Sequence, residues 1–160
     1  SSVIYGNVLN STGSIIPLIW HSIKNNYPLS LYGEEMTRFM IDIERAMDCV
    51  EIALTTTGYN IIPNLKSFKV KDLFELYSEK FGLKWKKGNL RISEKLHEQM
   101  ISPFEIARTT YNKKNDVYLM NYTKIFNETY LPSAGLSSEN HTVSKKELDA
   151  ILKKYNYFEP

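Results

Sequence analysis

The sequence contains a single cysteine among its 160 residues, which excludes a disulfide bond within the chain. Cys49 lies in an apolar-periodic stretch, and this pattern indicates a core residue rather than a nucleophile. No apolar run approaches the roughly 20 residues that a membrane span needs. The net charge is only +2, from 20 basic and 18 acidic residues, and gives no strong field. We therefore expect a cytoplasmic protein with no nucleic-acid and no membrane partner.

Motifs that bind phosphates or metals are also missing. The seven glycines never form a Gly-x-Gly-x-x-Gly or Gly-x-x-Gly-x-x-Gly turn, so no dinucleotide phosphate cradle is present. There is no Walker-type Gly-Lys-Ser/Thr and no Gly-x-Ser-x-Gly nucleophile elbow. The three histidines lack partners at metal-ligand spacing, so we predict no metal site.

Short β-prone runs alternate with helical patterns along the chain. Apolar periodicity and capping residues predict helices over 15–25, 43–56, 70–81 and 145–155. Strands are predicted at 2–5, 29–32, 60–62, 83–85 and 117–120, and residues 91–100 are predicted to be a loop that enters a short helix. This alternation indicates an α/β or α+β unit.

The first strand begins the chain without a lead-in, so we expect a fragment, a split gene product or a truncation. Residues 2–5 and 15–23 are too apolar to face water comfortably. We therefore expect self-association or association with an N-terminal half.

Asn7 is the first candidate binding residue, since it follows a predicted strand and an adjacent glycine. Open α/β sheets bind ligands beyond the carboxyl ends of their strands, and an amide there can donate to a phosphate or sugar oxygen. The alternative is a turn asparagine that serves the backbone alone.

Arg38 lies between apolar residues in a segment with strand character, which is an unusual place for a surface charge. Its planar guanidinium suits a pyrophosphate because it can donate two parallel hydrogen bonds. The alternative is an ion pair with Glu34, Glu35 or Asp42 nearby.

Arg91 and Glu94 are three residues apart at the predicted helix entrance. Arginine at this place can meet a diphosphate, and a carboxylate can accept hydrogen bonds from ribose hydroxyls. The alternative is a first-turn glutamate that satisfies the helix dipole, with Arg91 in a weak surface ion pair.

An ordered set of motifs carries a family resemblance. The motifs are Tyr5-Gly6-Asn7-Val8, Gly13-Ser14-Ile15-Ile16-Pro17, Met36-Thr37-Arg38-Phe39, Ser93-Glu94-Lys95-Leu96-His97-Glu98 and Ser137-Ser138-Glu139-Asn140. With these motifs in this order, the chain resembles the C-terminal half of the UDP-N-acetylglucosamine 4,6-dehydratase and 4-epimerase group of polysaccharide-biosynthesis enzymes. Ile4 and Thr12 depart from the pattern, since the family commonly has arginine at both places.

The resemblance implies roles for individual residues. Asn7 would contact the sugar diphosphate, Arg38 and Arg91 would clamp the phosphates, and Glu94 would hold the ribose. Ser14 and Pro17 belong to the same substrate-binding set through their shared motif. No catalytic residue is expected in this chain, because the family's Tyr-x-x-x-Lys pair precedes the Tyr-Gly-Asn segment.

The resemblance also implies a fold and a function. Residues 1–160 would be the C-terminal, sugar-nucleotide-binding part of a Rossmann-type extended short-chain dehydrogenase with its small substrate-binding lobe. The N-terminal cofactor-binding half would be absent, so NAD(P) belongs to the parent family and is not expected to bind this chain alone. The expected partner is a UDP-sugar, and the alternative is a non-catalytic interaction or scaffold module that kept the fold.

Overall fold

A computed structural model describes residues 1–89, 92–128 and 130–160. Its elements, in chain order, are β1 (Ser2–Val3), β2 (Asn7–Val8), α1 (Ile15–Asn25), β3 (Leu29–Leu31), β4 (Thr37–Ile41), α2 (Ile43–Thr55), β5 (Asn60–Pro63), β6 (Ser67–Lys69), α3 (Val70–Phe81), β7 (Trp85–Lys87), β8 (Gln99–Ile101), β9 (Thr109–Asn112), β10 (Val117–Met120), β11 (Leu136–Ser137) and α4 (Lys145–Lys154). Two short 3-10 segments, Pro103–Arg108 and Ser138–His141, complete the described structure.

The strands form four small sheets. The largest has the order β1-β5-β10-β9, with β1 parallel to β5 and the other neighbours antiparallel. A second sheet joins β2 in parallel and β6 in antiparallel fashion to the central strand β4. Strands β3 and β7 pair in parallel, and β8 pairs with β11 in antiparallel fashion. Parallel pairs with helices between them confirm the predicted α/β class.

The helix boundaries follow the local signals in the sequence. The Asp42 carboxylate accepts a hydrogen bond of 2.8 Å from the Arg45 amide and so caps α2. Ser144 and Glu147 form the predicted capping box at the start of α4. Gly82 ends α3 in the left-handed conformation with φ of 71°. The ends of α2 and α4 each lie one residue before the predicted position, because the last turn of a helix frays.

Two local predictions were wrong. The strand predicted at 83–85 lies two residues further along the chain, since β7 spans Trp85–Lys87 and pairs with β3 from Trp85 onward. Leu83 is instead a buried core residue before the strand. Residues 92–98 form a loop and not the start of a helix. The backbone there is engaged elsewhere, since the Leu96 carbonyl accepts from the Thr37 amide and the Glu98 amide donates to the Ser138 hydroxyl.

The main core lies between α1, α3 and α4. Ile16 and Ile19 of α1 are fully buried there. In the same cluster the Trp20 ring packs edge to face against Tyr77 and in a tilted arrangement against Phe81. The apolar face of α1 is therefore covered by this chain itself. This corrects the expectation that residues 15–23 would need a partner to keep them from water.

A second core cluster lies beneath β4 and joins the remaining sheets, with Phe39 and Ile101 fully buried. Within the described ranges, no helix has the length and apolar character required to cross a bilayer.

Candidate functional site

A cavity of about 380 Å³ opens where β2, β3 and β4 meet the start of α1. Its wall is mainly apolar, with a few polar groups, which is the usual construction of a small-molecule site. The polar lining residues are Asn7, Ser14, Ser30, Tyr32, Arg38 and Glu94. Four of the six residues predicted from the sequence therefore meet at one cavity.

Asn7 reaches the cavity because the chain passes very close to β4. Asn7 begins β2 and pairs with Met40 of β4. A Cβ atom at the preceding Gly6 would lie 2.4 Å from the Phe39 Cβ, closer than real side chains approach. Glycine is thus required at position 6 for the approach of the backbones, and the turn explanation and the binding explanation of Asn7 are compatible.

Ser14 occupies the N-cap position of α1, yet its side chain makes no capping hydrogen bond. The Ser14 Oγ is buried and has no hydrogen-bond partner in the described part of the chain. A buried hydroxyl without a partner is costly. Because Ser14 lines the cavity at a helix N-terminus, its hydroxyl is available to an anionic ligand there.

Arg38 lies at the mouth of the cavity with its side chain 13% exposed. Its Nη2 donates to Glu94 Oε1 at 2.6 Å, and its Nε lies 3.6 Å from Glu98 Oε1. Its Nη1 donates to the carbonyl oxygens of Thr37 and Leu96, at 2.7 and 3.3 Å. The guanidinium is therefore held on several sides by the loop of residues 92–98.

The alternative partners considered for Arg38 are engaged elsewhere. Glu34 pairs with Lys71 and Lys87, and Glu35 pairs with Lys69 at 2.8 Å. Hydrogen bonds and ion pairs with these lysines hold the pKa of both carboxyls below the ordinary range. Asp42 caps α2. Arg38 therefore lines the cavity and pairs with Glu94 and Glu98 instead.

Glu94 stands in the loop of residues 92–98 and not in the first turn of a helix. The helix-dipole explanation of this residue is therefore wrong. Its carboxylate lines the cavity and neutralises Arg38. A ligand with both a phosphate and neighbouring hydroxyls could use this pair together, since the guanidinium donates and the carboxylate accepts.

The two remaining predicted site residues are Pro17 and Arg91. Pro17 lies in the first turn of α1, where proline is tolerated, while its neighbours Ile15 and Leu18 line the cavity. Arg91 lies outside the described residues, so its convergence with Arg38 stays a prediction.

The structure reveals a contribution that the sequence analysis missed. Thr37, His97 and Ser138 form a hydrogen-bonded polar cluster next to Arg38 in β4 and to the loop that carries Glu94. All three belong to motifs that carried the family resemblance, but nothing in their spacing indicated that they meet.

Other reactive groups do not suggest chemistry at this site. Burial raises the pKa of the Cys49 thiol, which keeps it protonated as expected of a core residue. No cluster of histidine, cysteine or carboxylate side chains suited to a metal occurs in residues 1–89, 92–128 and 130–160.

The residues present do not fit a nicotinamide cofactor. Such cofactors bind at a strand, a glycine-rich turn and a helix in succession. Among the described elements near the cavity, the turn that joins β2 to α1 carries one glycine, Gly13, and the connections from β4 to α2 and from β6 to α3 carry none. No step of hydride chemistry can therefore be assigned to these residues.

Comparison with known proteins agrees with the fold and the motifs. The chain belongs to the polysaccharide biosynthesis protein family, whose model matches residues 1–121. It is 32% identical to an uncharacterized membrane protein of Methanocaldococcus jannaschii, over 98% of this chain and 50% of that protein. It is 34% identical to a UDP-N-acetylglucosamine 4,6-dehydratase (inverting) of Campylobacter jejuni, over 69% of this chain and 33% of that protein.

A further relative is a UDP-glucose 4-epimerase of Rickettsia felis, 29% identical over 92% of this chain and 46% of that protein. The chain thus spans about half the length, or less, of these curated relatives. Among solved structures, Pen from Bacillus thuringiensis superposes with a TM-score of 0.81 at 24% identity, over 98% of this chain and 50% of that one. That likeness establishes the fold.

Proposed function

We propose that this chain is the UDP-sugar-binding portion of an NAD(P)-dependent nucleotide-sugar dehydratase or epimerase of surface polysaccharide biosynthesis, acting in the cytoplasm. The observation that carries the proposal is the meeting of Asn7, Ser14, Arg38 and Glu94 at one cavity. These residues come from four separate family motifs, and their polar groups suit the diphosphate and the ribose of a sugar nucleotide.

Different residues of the cavity suit the phosphates, the ribose and the rings of such a ligand. The Ser14 hydroxyl and the N-terminus of α1 favour a phosphate, and Arg38 supplies the positive charge at the mouth. Glu94 can accept hydrogen bonds from ribose hydroxyls, and Asn7 can donate to a diphosphate oxygen. The apolar walls suit the faces of a base or sugar ring.

These residues bind and orient a substrate but do not oxidise it. In the proposed parent enzyme, NAD(P) supplies the hydride acceptor, and that cofactor would be held by a half that this sequence does not include. We therefore propose that 1–160 functions as the C-terminal part of an enzyme whose cofactor-binding half supplies the chemistry.

The helix α2 offers a surface for that second half. Ile43, Met47, Val50 and Leu54 are exposed and recur at helical spacing, with Leu54 81% exposed. At about 100° per residue, this stripe lies roughly a quarter turn from the buried face that contains Ala46 and Cys49. A neighbouring helix in the same layer of an α/β sheet would lie at this flank.

Strand β1 supports the same arrangement. Its one strand partner in the described structure is β5, to which it runs parallel, and it therefore stands at the edge of its sheet. An unpaired parallel edge beside an apolar helix flank suits further strand and helix units of a preceding half. Without that half, we expect isolated chains to associate through the same surface.

The second candidate function is a non-catalytic interaction module. The exposed stripe on α2 favours it as much as it favours a missing half, because both need an apolar contact surface. The two candidate functions differ in what they require of the cavity. A UDP-sugar-binding portion needs a cavity that selects a nucleotide, whereas an interaction module does not.

Titration of the purified chain with UDP-N-acetylglucosamine by calorimetry tests the proposal. We expect saturable binding that UDP alone competes with and ADP-glucose does not. The control variant is Arg45→Gln, which alters a half-buried arginine that donates to the Asn115 and Asp116 carbonyls and does not line this cavity. Absence of heat with UDP-N-acetylglucosamine and UDP would favour the interaction module.

A further inference from the structure

Three hydrogen-bonded side chains lie beside the cavity residues Arg38 and Glu94 without lining the cavity, and we call Thr37, His97 and Ser138 the anchor cluster. The Thr37 Oγ1 lies 2.8 Å from His97 Nδ1 and 2.7 Å from the Ser138 Oγ. Thr37 and Ser138 are buried, with 2% and 0% of their surface exposed. The cluster joins β4, the loop of residues 92–98 and the segment that follows β11.

The alternation of side chains along β4 gives Thr37 and Arg38 opposite directions. Successive residues of a strand point to opposite faces. Arg38 lines the cavity, while Thr37 faces the buried cluster. Strand β4 therefore carries Arg38, the charged residue at the cavity, on one face and Thr37, a member of the anchor cluster, on the other.

The loop of residues 92–98 has no helix or strand of its own, so its position depends on contacts with other segments. Its Leu96 carbonyl accepts from the Thr37 amide at 3.0 Å. Its Glu98 amide donates to the Ser138 hydroxyl, and its Glu98 carbonyl accepts from the Ser138 amide, both at 2.8 Å. These bonds connect the loop to β4 and to the C-terminal segment.

The C-terminal segment is itself secured. The Ser67 hydroxyl donates to the Ser138 carbonyl, and Ser67 is fully buried. The Val143 amide donates to the Ser67 carbonyl at 2.9 Å. The backbone of Ser138 is therefore held by buried Ser67, while the Ser138 hydroxyl is bonded to the loop.

We infer that Thr37, His97 and Ser138 are positioning residues, which hold the loop of residues 92–98 on β4 and thereby set the Arg38–Glu94 pair at the mouth of the cavity. This assigns a task to the segment after β11, whose residues do not line the cavity. The effect on a bound sugar nucleotide rests on the proposed function, whereas the effect on the loop does not.

Amide hydrogen exchange of Ser138→Ala tests the loop directly. Removal of the hydroxyl leaves the Glu98 amide without its partner and removes the contacts of Ser138 Oγ with the Thr37 hydroxyl at 2.7 Å and the Thr37 carbonyl at 3.4 Å. We expect about tenfold faster exchange at the Thr37 amide, which is bonded to the loop but not to Ser138. The matched control is Ser22→Ala, which removes another buried hydroxyl, one that donates to the Tyr27 carbonyl at 2.6 Å.

Binding of UDP to the same variants tests the consequence. We expect Ser138→Ala and Thr37→Val each to lower the affinity for UDP about fivefold, because the net loss of one hydrogen bond has an effect of this size. Thr37→Ser, which keeps the hydroxyl, restores the affinity. In a Glu94→Gln background the effect of Ser138→Ala falls below about twofold, because the group being positioned is already altered.

Each outcome decides between the claims. Unchanged exchange at the Thr37 amide in Ser138→Ala, or an equal change in Ser22→Ala, overturns the inference whether or not UDP binds. Additive losses in the Glu94→Gln background also overturn it. Faster exchange at the Thr37 amide in Ser138→Ala, together with a wild-type chain that binds no UDP, upholds the positioning of the loop and contradicts only the proposed function.

Discussion

The Arg38 Nη2 and the Glu94 Oε1 are 56 residues apart in sequence and 2.6 Å apart in space. The two groups neutralise each other at the mouth of the cavity, so neither is an isolated charge beneath the surface. A ligand that offers an anion to one and hydroxyls to the other can exchange this internal pair for two new contacts.

The first prediction concerns Arg38→Gln. We expect about tenfold weaker binding of UDP, because the amide cannot replace the charged, two-pronged donor. Calorimetry measures the change, and Arg45→Gln serves as the control with unaltered affinity. Equal affinities for Arg38→Gln and the wild type would show that the anion binds elsewhere.

The second prediction concerns the exposed stripe on α2. The wild-type chain is expected to self-associate at high concentration, and Met47→Gln combined with Leu54→Gln to reduce it, because both side chains are exposed and apolar. Sedimentation velocity over a range of concentrations makes the measurement. Asp48→Asn combined with Glu51→Gln, on exposed positions of the same helix, is the matched control. A monomeric wild-type chain would count against this surface.

The third prediction concerns the pH dependence of stability. Hydrogen bonds and ion pairs with Lys153 and Lys80 lower the pKa of Asp149 from its ordinary 3.8. A lowered folded-state pKa gives stability that is present above the unfolded value and lost as the pH falls through the folded value. Asp149→Asn should therefore cost about 0.5–1 kcal/mol near pH 7, a typical value for such pairs.

The same substitution should cost almost nothing at about pH 2, where the wild-type carboxyl is protonated as well. Urea unfolding at both pH values gives the two free energies. Asp48→Asn, at an exposed position of α2 that has no ion pair among the described contacts, should show little change at either pH. A cost that persists unchanged in acid would assign the effect to packing rather than to charge.

The fourth prediction is that the isolated chain shows no dehydratase, epimerase or reductase turnover with UDP-sugars and NAD(P). None of its 11 tyrosines is followed four residues later by a lysine, so the base of the resembled family is missing. Burial raises the pKa of Tyr77, and its hydroxyl donates to the Tyr157 carbonyl, which is the wrong environment for a base.

Chromatography of the nucleotide sugars detects the redox-neutral dehydratase and epimerase reactions, and spectrophotometry of NAD(P)H consumption detects reductase turnover. The full-length inverting dehydratase of Campylobacter jejuni is the positive control. Substrate-dependent turnover by the purified chain alone would mean that other residues of this chain build an active site.

The sequence by itself determined the positions of the helices and identified four of the polar residues that line the cavity. Asp42, Gly82, Ser144 and Glu147 act within a few residues of their own positions, and such local hydrogen bonds can be predicted from spacing. Asn7, Ser14, Arg38 and Glu94 were identified because each stands in an ordered motif, and the structure brings these four to one cavity.

The tertiary structure alone decided what holds those residues and what the chain leaves exposed. The loop of residues 92–98 was predicted to enter a helix, but distant hydrogen bonds to Thr37 and Ser138 take up its backbone groups. Likewise, the apolar face of α1 is covered by α3 and α4, whereas the stripe on α2 is not. Periodicity shows that a helix has an apolar face, but only the packing of remote segments decides whether that face is covered.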